Sequence, residues 1–191
     1  MQHQLTAKRQ MCQHCQRPLA ICCCDVVMPF RCQTNITTLQ DQRETNNKKN
    51  TLLLVKQCLP SMQVLHSVPT NLLNTGLVFP TPHSQPIEST EELPKQWLLL
   101  DGSWKQCNAW YLANPSLQAL PSFHFSQAPA SQYHIRKRPK ADGLASIEAI
   151  AYLLSVVEPD CDWPRLNKVM ATFNDRWLAQ IPKELHHRYR R

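Results

Sequence analysis

The run Trp97-Leu-Leu-Leu-Asp101 narrows the fold more than any other stretch. Three consecutive leucines leave no polar face for water. A strand built from them must be covered on both sides, as in a parallel sheet layered between helices. The run stops at a carboxylate and turns through Gly102 and Ser103 into helical spacing over about 103–113. Further strands are predicted at "NITTL" (35–39), "MQVLHSV" (62–68), "GLVFP" (76–80) and "SFHF" (122–125). "NTLLLVKQCL" (50–59) reads as a short helix capped by Asn50 or Thr51. "GLASIEAIAYLLSVVEP" (143–159) is the clearest helix, with Leu144, Ile147, Ala151 and Leu154 on one face and Pro159 as its stop. Leu166, Val169, Met170, Phe173 and Trp177 mark a last amphipathic helix over 164–180. The proline-rich stretch 80–94 is expected to be a loop. Strand–helix alternation of this kind predicts an α/β domain with a largely parallel sheet and flanking helices.

Ligands of such sheets bind beyond the carboxyl ends of the strands, which is where Asp101, Gly102, Ser103 and Trp104 fall. The spacing has a plain structural reading too, with Ser103 capping the next helix and Gly102 easing the turn. Trp104 and Trp110 lie on different helical faces, so one of them is expected in the core. The three glycines, Gly76, Gly102 and Gly143, are too scattered for a dinucleotide fingerprint.

With 191 residues, 42% of them hydrophobic, the chain can bury a full core. Its formal charge of +7 favours phosphate-rich partners such as nucleic acid. Two clusters carry much of that surplus, "RKRPK" at 136–140 and "HHRYRR" at 186–191. In Ser131-Gln-Tyr-His-Ile-Arg-Lys-Arg138 the cations are interleaved with Tyr133 and His134, a combination that can stack on bases and grip phosphates. A solvated basic loop is the alternative. "MQHQLTAKRQMC" has no apolar h-region, and "AIAYLLSVV" is too short to span a bilayer. A cytoplasmic location with no membrane partner is therefore expected.

Nine cysteines in a reducing compartment point to metal rather than disulfides. Cys12-Gln-His-Cys15 and Cys22-Cys-Cys24 form two close groups, the pattern of a zinc knuckle. Cys12, Cys15, Cys22 and Cys24 would fill a tetrahedral site and leave no position for a substrate, which makes it structural. Cys23 or Cys32 in place of one ligand, or no metal at all, are the alternatives. The organisation expected is a Cys-rich zinc-binding segment (1–33), an α/β catalytic domain (34–180) and a basic tail (181–191).

Five segments in order resemble the DTW-domain family, the tRNA-uridine aminocarboxypropyltransferases. These are "CQHCQRPLAICCC", "TLQDQRETNNKKNT", "LVFP", "LLLDGSWKQCNAW" and "LPSFHF…SQYHIRKRP…GLASIEAIAYLL". The chain departs from the family pattern where Ser103 replaces the name-giving threonine and Cys107 an alanine. Asp41-Gln42 stands for a His-Pro, and Ala145-Ser146 for a Ser-Thr. Gln40, Glu44, Asn50 and Thr51 keep the early motif.

The resemblance implies a SPOUT-like fold with a knotted cofactor site and S-adenosylmethionine as co-substrate. It also implies transfer of the 3-amino-3-carboxypropyl group to N3 of a tRNA uridine, in the variable loop for bacterial relatives and the D-loop for eukaryotic ones. Asp101, Ser103 and Trp104 become the catalytic candidates. Asp101 would serve as base, as orienter of a base or as partner of the cofactor ammonium. Gly102, Ser131, Tyr133 and Arg136 join those three around the cofactor, and Lys105, Arg136, Lys137 and Arg138 are candidates for holding tRNA. Two rival readings stand beside this one, a SPOUT-type RNA methyltransferase and a non-catalytic zinc-containing RNA-binding protein.

Overall fold

The computed structural model describes residues 10–135 and 143–188. Six strands form one all-parallel sheet: β1 (Asn35–Gln40), β2 (Gln63–Leu65), β3 (Thr75–Val78), β4 (Gln85–Pro86), β5 (Gln96–Asp101) and β6 (Ser122–His124), in the order β2-β1-β5-β3-β6-β4. The leucine run is thus interior, paired with β1 on one side and β3 on the other. Alternation along β5 sends Leu98 to one face and Trp97 and Leu99 to the other, and all three are buried.

Each face has its own core. Ile36, Trp97, Leu99 and Phe123 pack with the apolar sides of α2 (Leu52–Cys58), α5 (Ser146–Val157) and α6 (Pro164–Leu178). Leu39, Leu77, Phe79 and Leu98 pack under α3 (Trp104–Ala113) and α4 (Pro115–Gln118), which contribute Cys107 and Leu117. Burial of each such side chain stabilises the fold by about 1.5–3 kcal/mol. Ile21, Cys23 and Phe30 of the Cys-rich segment belong to the first core, so that segment and the α5–α6 pair share one interior.

Gly76 makes the tightest packing in the sheet possible. It sits beside Trp97 in register, and a Cβ there would lie 2.7 Å from Pro94, 2.9 Å from Phe123 and 3.1 Å from the Trp97 ring. The space is filled by Trp97 meeting Phe123 edge-on at 5.1 Å.

Several expectations shift. The stretch 80–94 carries the short edge strand β4 and a 3-10 turn, Ile87–Ser89, anchored by buried Ile87. Leu144 precedes α5 rather than lying on its face, and α5 ends at Val157 because the chain leaves helical geometry at Glu158, before Pro159. The fully buried tryptophan is Trp97, while Trp104 and Trp110 are both half-buried against the second core. No helix among the described residues is long and apolar enough to cross a membrane.

Candidate functional site

The strand order switches between β1 and β5, and the crevice outside their carboxyl ends holds a cavity of about 130 Å³. Its lining comes from four separated stretches, including Glu44, Lys49, Asp101, Trp104, Tyr133 and Ser146. Asp101 is the last residue of β5 and lies in register with Gln40, the last of β1. Same-face neighbours in adjacent strands meet, and Gln40 Nε2 donates to Asp101 Oδ2 at 2.9 Å. Ser146 Oγ, on the first turn of α5, donates to Oδ1 of the same carboxylate. The carboxylate is therefore aimed by side chains from a strand and a helix, both rigid elements.

Ser103 does cap α3. It completes a capping box in which Gln106 N donates to Ser103 Oγ (3.4 Å) and Ser103 N donates to Gln106 Oε1 (2.6 Å). Ser103 also lines the cavity. Gly102 does not have the role expected of it. Among the described residues no glycine has a positive φ, and a Cβ at 102 would meet nothing nearer than Gln106 at 3.4 Å. The turn does not require glycine; the missing side chain leaves space in the cavity. Trp104 lines the cavity and leans on Phe79, with ring centroids 5.8 Å apart.

The early motif closes the opposite wall. Asn50, just before the N-cap Thr51 of α2, accepts from Leu52 N on Oδ1 at 2.7 Å, while its Nδ2 donates to Glu44 O at 2.9 Å. Ile147 N donates to Thr51 Oγ1, tying the start of α5 to the start of α2. Where the family pattern has His-Pro, Asp41 caps α1 (Gln42–Thr45) by accepting from Arg43 N at 2.8 Å. The Arg43 guanidinium on the same carboxylate holds Asp41 below the usual carboxylate range.

Ser131 and Tyr133 form a third wall. Buried Glu148, in the first turn of α5, accepts from Ser131 Oγ at 2.7 Å, Gln132 N at 2.6 Å and Ala145 N at 2.7 Å. Tyr133 donates its hydroxyl to Lys49 O. Both residues line the cavity while their polar groups also fasten its wall. Lys105 is exposed on the first turn of α3 and does not line the cavity. Arg136, Lys137 and Arg138 lie outside the described residues. Cys107 is buried under the sheet, and burial, with Asp101 and Asp41 nearby, pushes its thiol up to about 12, so it stays neutral.

A larger, mostly apolar hollow of about 940 Å³ lies between α5, α6 and residues 129–134. It holds none of Asp101–Trp104, which line the smaller cavity.

The other cluster is local. Cys12 N donates to Arg17 O at 2.8 Å and Gln16 N to Cys12 O at 3.0 Å, closing a tight hairpin with Gln16 in the left-handed region (φ 55°). The sulfurs of Cys12, Cys15, Cys22 and Cys24 lie within 4.8 Å of one another. Four thiolates on one zinc at about 2.3 Å would sit roughly 3.8 Å apart, and the Cys12–Cys24 and Cys15–Cys22 pairs are at 3.9 and 3.6 Å. The donor set fits a tetrahedral metal. Backbone N–H groups of Cys15 and His14 pull the Cys12 thiol down to about 6, which readies it as a thiolate. Cys23 instead points its sulfur at Ile21 O and Cys32 at Thr34 O, so neither joins the four.

Residues the sequence reading left out of the site are Gln40, Glu44, Lys49 and Ser146. Gln40 and Glu44 stood in the matched motif, but only the β1–β5 register shows that Gln40 touches Asp101.

Comparison with known proteins gives the family. The DTW domain model matches residues 9–178. A relative in Drosophila melanogaster, tRNA-uridine aminocarboxypropyltransferase 2, is 28% identical over 79% of this chain and 68% of its own length. The Mus musculus protein of the same name is 23% identical over 79% of this chain, which spans 57% of the mouse protein's length. tRNA-uridine aminocarboxypropyltransferase A of Arabidopsis thaliana is 24% identical over 95% of this chain and 88% of its own length. No solved structure matches. With nearly its whole length covered by that domain and its motif residues gathered around one cavity, the chain belongs to the DTW-domain family.

Proposed function

We propose that this protein transfers the 3-amino-3-carboxypropyl group of S-adenosylmethionine to N3 of a tRNA uridine. The observation that carries the reading is the aimed carboxylate of Asp101 at a cavity formed by the family's own motif residues. The donor set suits such a co-substrate. Glu44 offers a carboxylate for an ammonium, and Trp104 and Tyr133 offer aromatic walls. Bound there, S-adenosylmethionine supplies an electrophilic γ-carbon with methylthioadenosine as leaving group.

The residues then have three tasks. The first is alignment: a sulfonium bears three carbons, and the one in line with the nucleophile reacts. Walls fixed by Ser103, Trp104 and Tyr133 present the amino-acid chain, not the methyl, to the uracil. The second is the proton. Uridine N3 loses its hydrogen as the N–C bond forms and the C–S bond breaks, and Asp101 accepts it. The third is orientation, in which Gln40 and Ser146 keep the carboxylate pointed at the cavity.

Zinc on Cys12, Cys15, Cys22 and Cys24 is the structural part of the proposal. tRNA is the macromolecular partner, with Lys105, Arg136, Lys137 and Arg138 as candidate contacts to its backbone. Incubating the protein with tRNA and S-adenosylmethionine, then digesting to nucleosides for mass spectrometry, tests the reading and maps the uridine. Methylthioadenosine and a nucleoside heavier by the transferred group are expected. S-adenosylhomocysteine with a methylated nucleoside would establish the methyltransferase alternative, and unmodified tRNA that still binds would establish the non-catalytic one.

A further inference from the structure

Arg17 is 2% exposed, although it lies in the Cys-rich hairpin near the chain's surface. A guanidinium stays charged in proteins, and a buried charge requires compensation. Three of its surroundings are visible. Nη2 donates to the backbone oxygen of Asn50. The Phe173 ring lies 4.7 Å from the guanidinium carbon, and Nη1 is buried with no hydrogen-bond partner. Among the described residues no carboxylate forms a salt bridge with it. The backbone oxygen of Arg17 accepts from Cys12 N at 2.8 Å, so Arg17 lies inside the hairpin that carries the four sulfurs, between Cys15 and Cys22. The neighbouring cation, Arg176, is already neutralised by Asp25, with both nitrogens 2.6 Å from the carboxylate.

Four neutral thiols would leave Arg17 as an uncompensated buried cation. Four thiolates outweigh the charge of one divalent ion, so a loaded site is anionic and would supply the missing countercharge. We propose that Arg17 is the built-in counter-ion of the four-cysteine centre, with Nη1 serving the sulfurs while Nη2 holds Asn50 at the rim of the reaction cavity. The proposal rests on the zinc reading above and adds the residue that makes the loaded form preferred. The same residue links the metal centre to the cavity wall, since Asn50 also holds Glu44 O.

The test uses the full chain as purified. Its zinc content is measured, and zinc is then competed away with a chromogenic chelator from the wild type, Arg17→Met and Arg17→Lys. One zinc per wild-type chain is expected. Arg17→Met should lose about 10–100-fold in zinc affinity, the range for partners outside the ligand set, and Arg17→Lys should lose less. Melting temperatures separate this role from simple packing. Arg17→Met should destabilise the loaded protein but not the stripped protein, where the uncompensated charge is gone. Wild-type zinc affinity in the Met variant, or an equal melting-temperature fall in both forms, overturns the proposal. If Arg17→Met does not fold, Arg17→Lys decides, because one ammonium cannot serve the sulfurs and Asn50 O together; unchanged affinity there overturns it too. A zinc-free wild type would instead sink the metal reading itself, and the counter-ion with it.

Discussion

The four-cysteine hairpin and the cavity at Asp101 are built on opposite plans. The hairpin draws all its ligands from residues 12–24, and one tight turn brings the sulfurs together. The cavity collects residues from 44–51, 101–104, 131–133 and 143–146, which only the strand order makes neighbours. The first would be closed by its own chemistry, because four ligands would fill the proposed tetrahedral metal. The second keeps polar groups around open space. A structural centre can be local because it needs only itself; a reaction site needs groups of different kinds at angles no single segment can offer.

The sharpest way to break that contrast is at the aimed carboxylate. Asp101→Asn keeps the shape and the hydrogen bonds from Ser146 or Gln40 in part, but not the charge. It is expected to lower kcat for tRNA modification by about 10²–10⁴-fold, the usual contribution of a positioned acid–base group. Binding of tRNA, followed by electrophoretic mobility, should change little. A variant that folds and turns over at the wild-type rate would remove Asp101 from the chemistry.

Next in size is removal of the metal centre. Cys15→Ser, at the most buried of the four ligands, should lower the melting temperature by about 10 °C or more. A chain this long shifts roughly 2–4 °C per kcal/mol, and structural zinc commonly contributes about 10–16 kcal/mol to folding. The loss should extend to α6, whose apolar side packs with Ile21 and whose Arg176 donates to Cys22 O. An unchanged melting curve would show that the hairpin holds without metal.

How far each region could be read beforehand follows from the same difference. The cysteine spacing alone identified Cys12, Cys15, Cys22 and Cys24, because a local motif is written in consecutive residues. The leucine run likewise implied an interior parallel strand, since three adjacent apolar residues need two covered faces. Gln40 was visible as a motif residue but not as a partner of Asp101, 61 positions away, because register is a property of the sheet. Ser146 appeared as a replacement for threonine, and its hydroxyl proves to hold the same carboxylate. β4 was hidden because two residues, one of them Pro86, give no periodicity. Gly102 was over-read: glycine beside a turn suggests conformational need, whereas the backbone there suits any residue and only the cavity notices a side chain.

The two glycines turn that lesson into a paired experiment. Gly76→Ala forces a Cβ to within 3.1 Å or less of Pro94, Phe123 and Trp97 in a packed core, and should cost about 1–3 kcal/mol of stability in urea unfolding. Gly102→Ala meets only ordinary contacts with Gln106 and Asp41, and its stability should change by no more than about 0.5 kcal/mol. Its effect should appear as a raised KM for S-adenosylmethionine, since the methyl takes ligand space. Equal destabilisation by both would mean that Gly102 shapes the chain after all.

The smallest effect is expected where the cavity rim departs from the family pattern. Arg43 is three-quarters exposed and pairs with Asp41 at 3.0 Å, so solvent screens most of the attraction, and Arg43→Ala should cost under about 1 kcal/mol at neutral pH. The sign of its pH dependence is fixed by the direction of the shift. Asp41 ionises more readily folded than at its ordinary 3.8, so the pair stabilises the fold above that value. Its contribution is lost as pH falls through the lower folded value, where both states bind the proton. Urea unfolding of wild type and Arg43→Ala should therefore differ slightly at neutral pH and converge in acid. Turnover should stay within about twofold, because the cap from Arg43 N to Asp41 survives the substitution and an exposed pair contributes little. A gap that widens in acid would show that Arg43 stabilises the rim through some group other than Asp41. A large fall in turnover would place Asp41 among the residues that face the substrate.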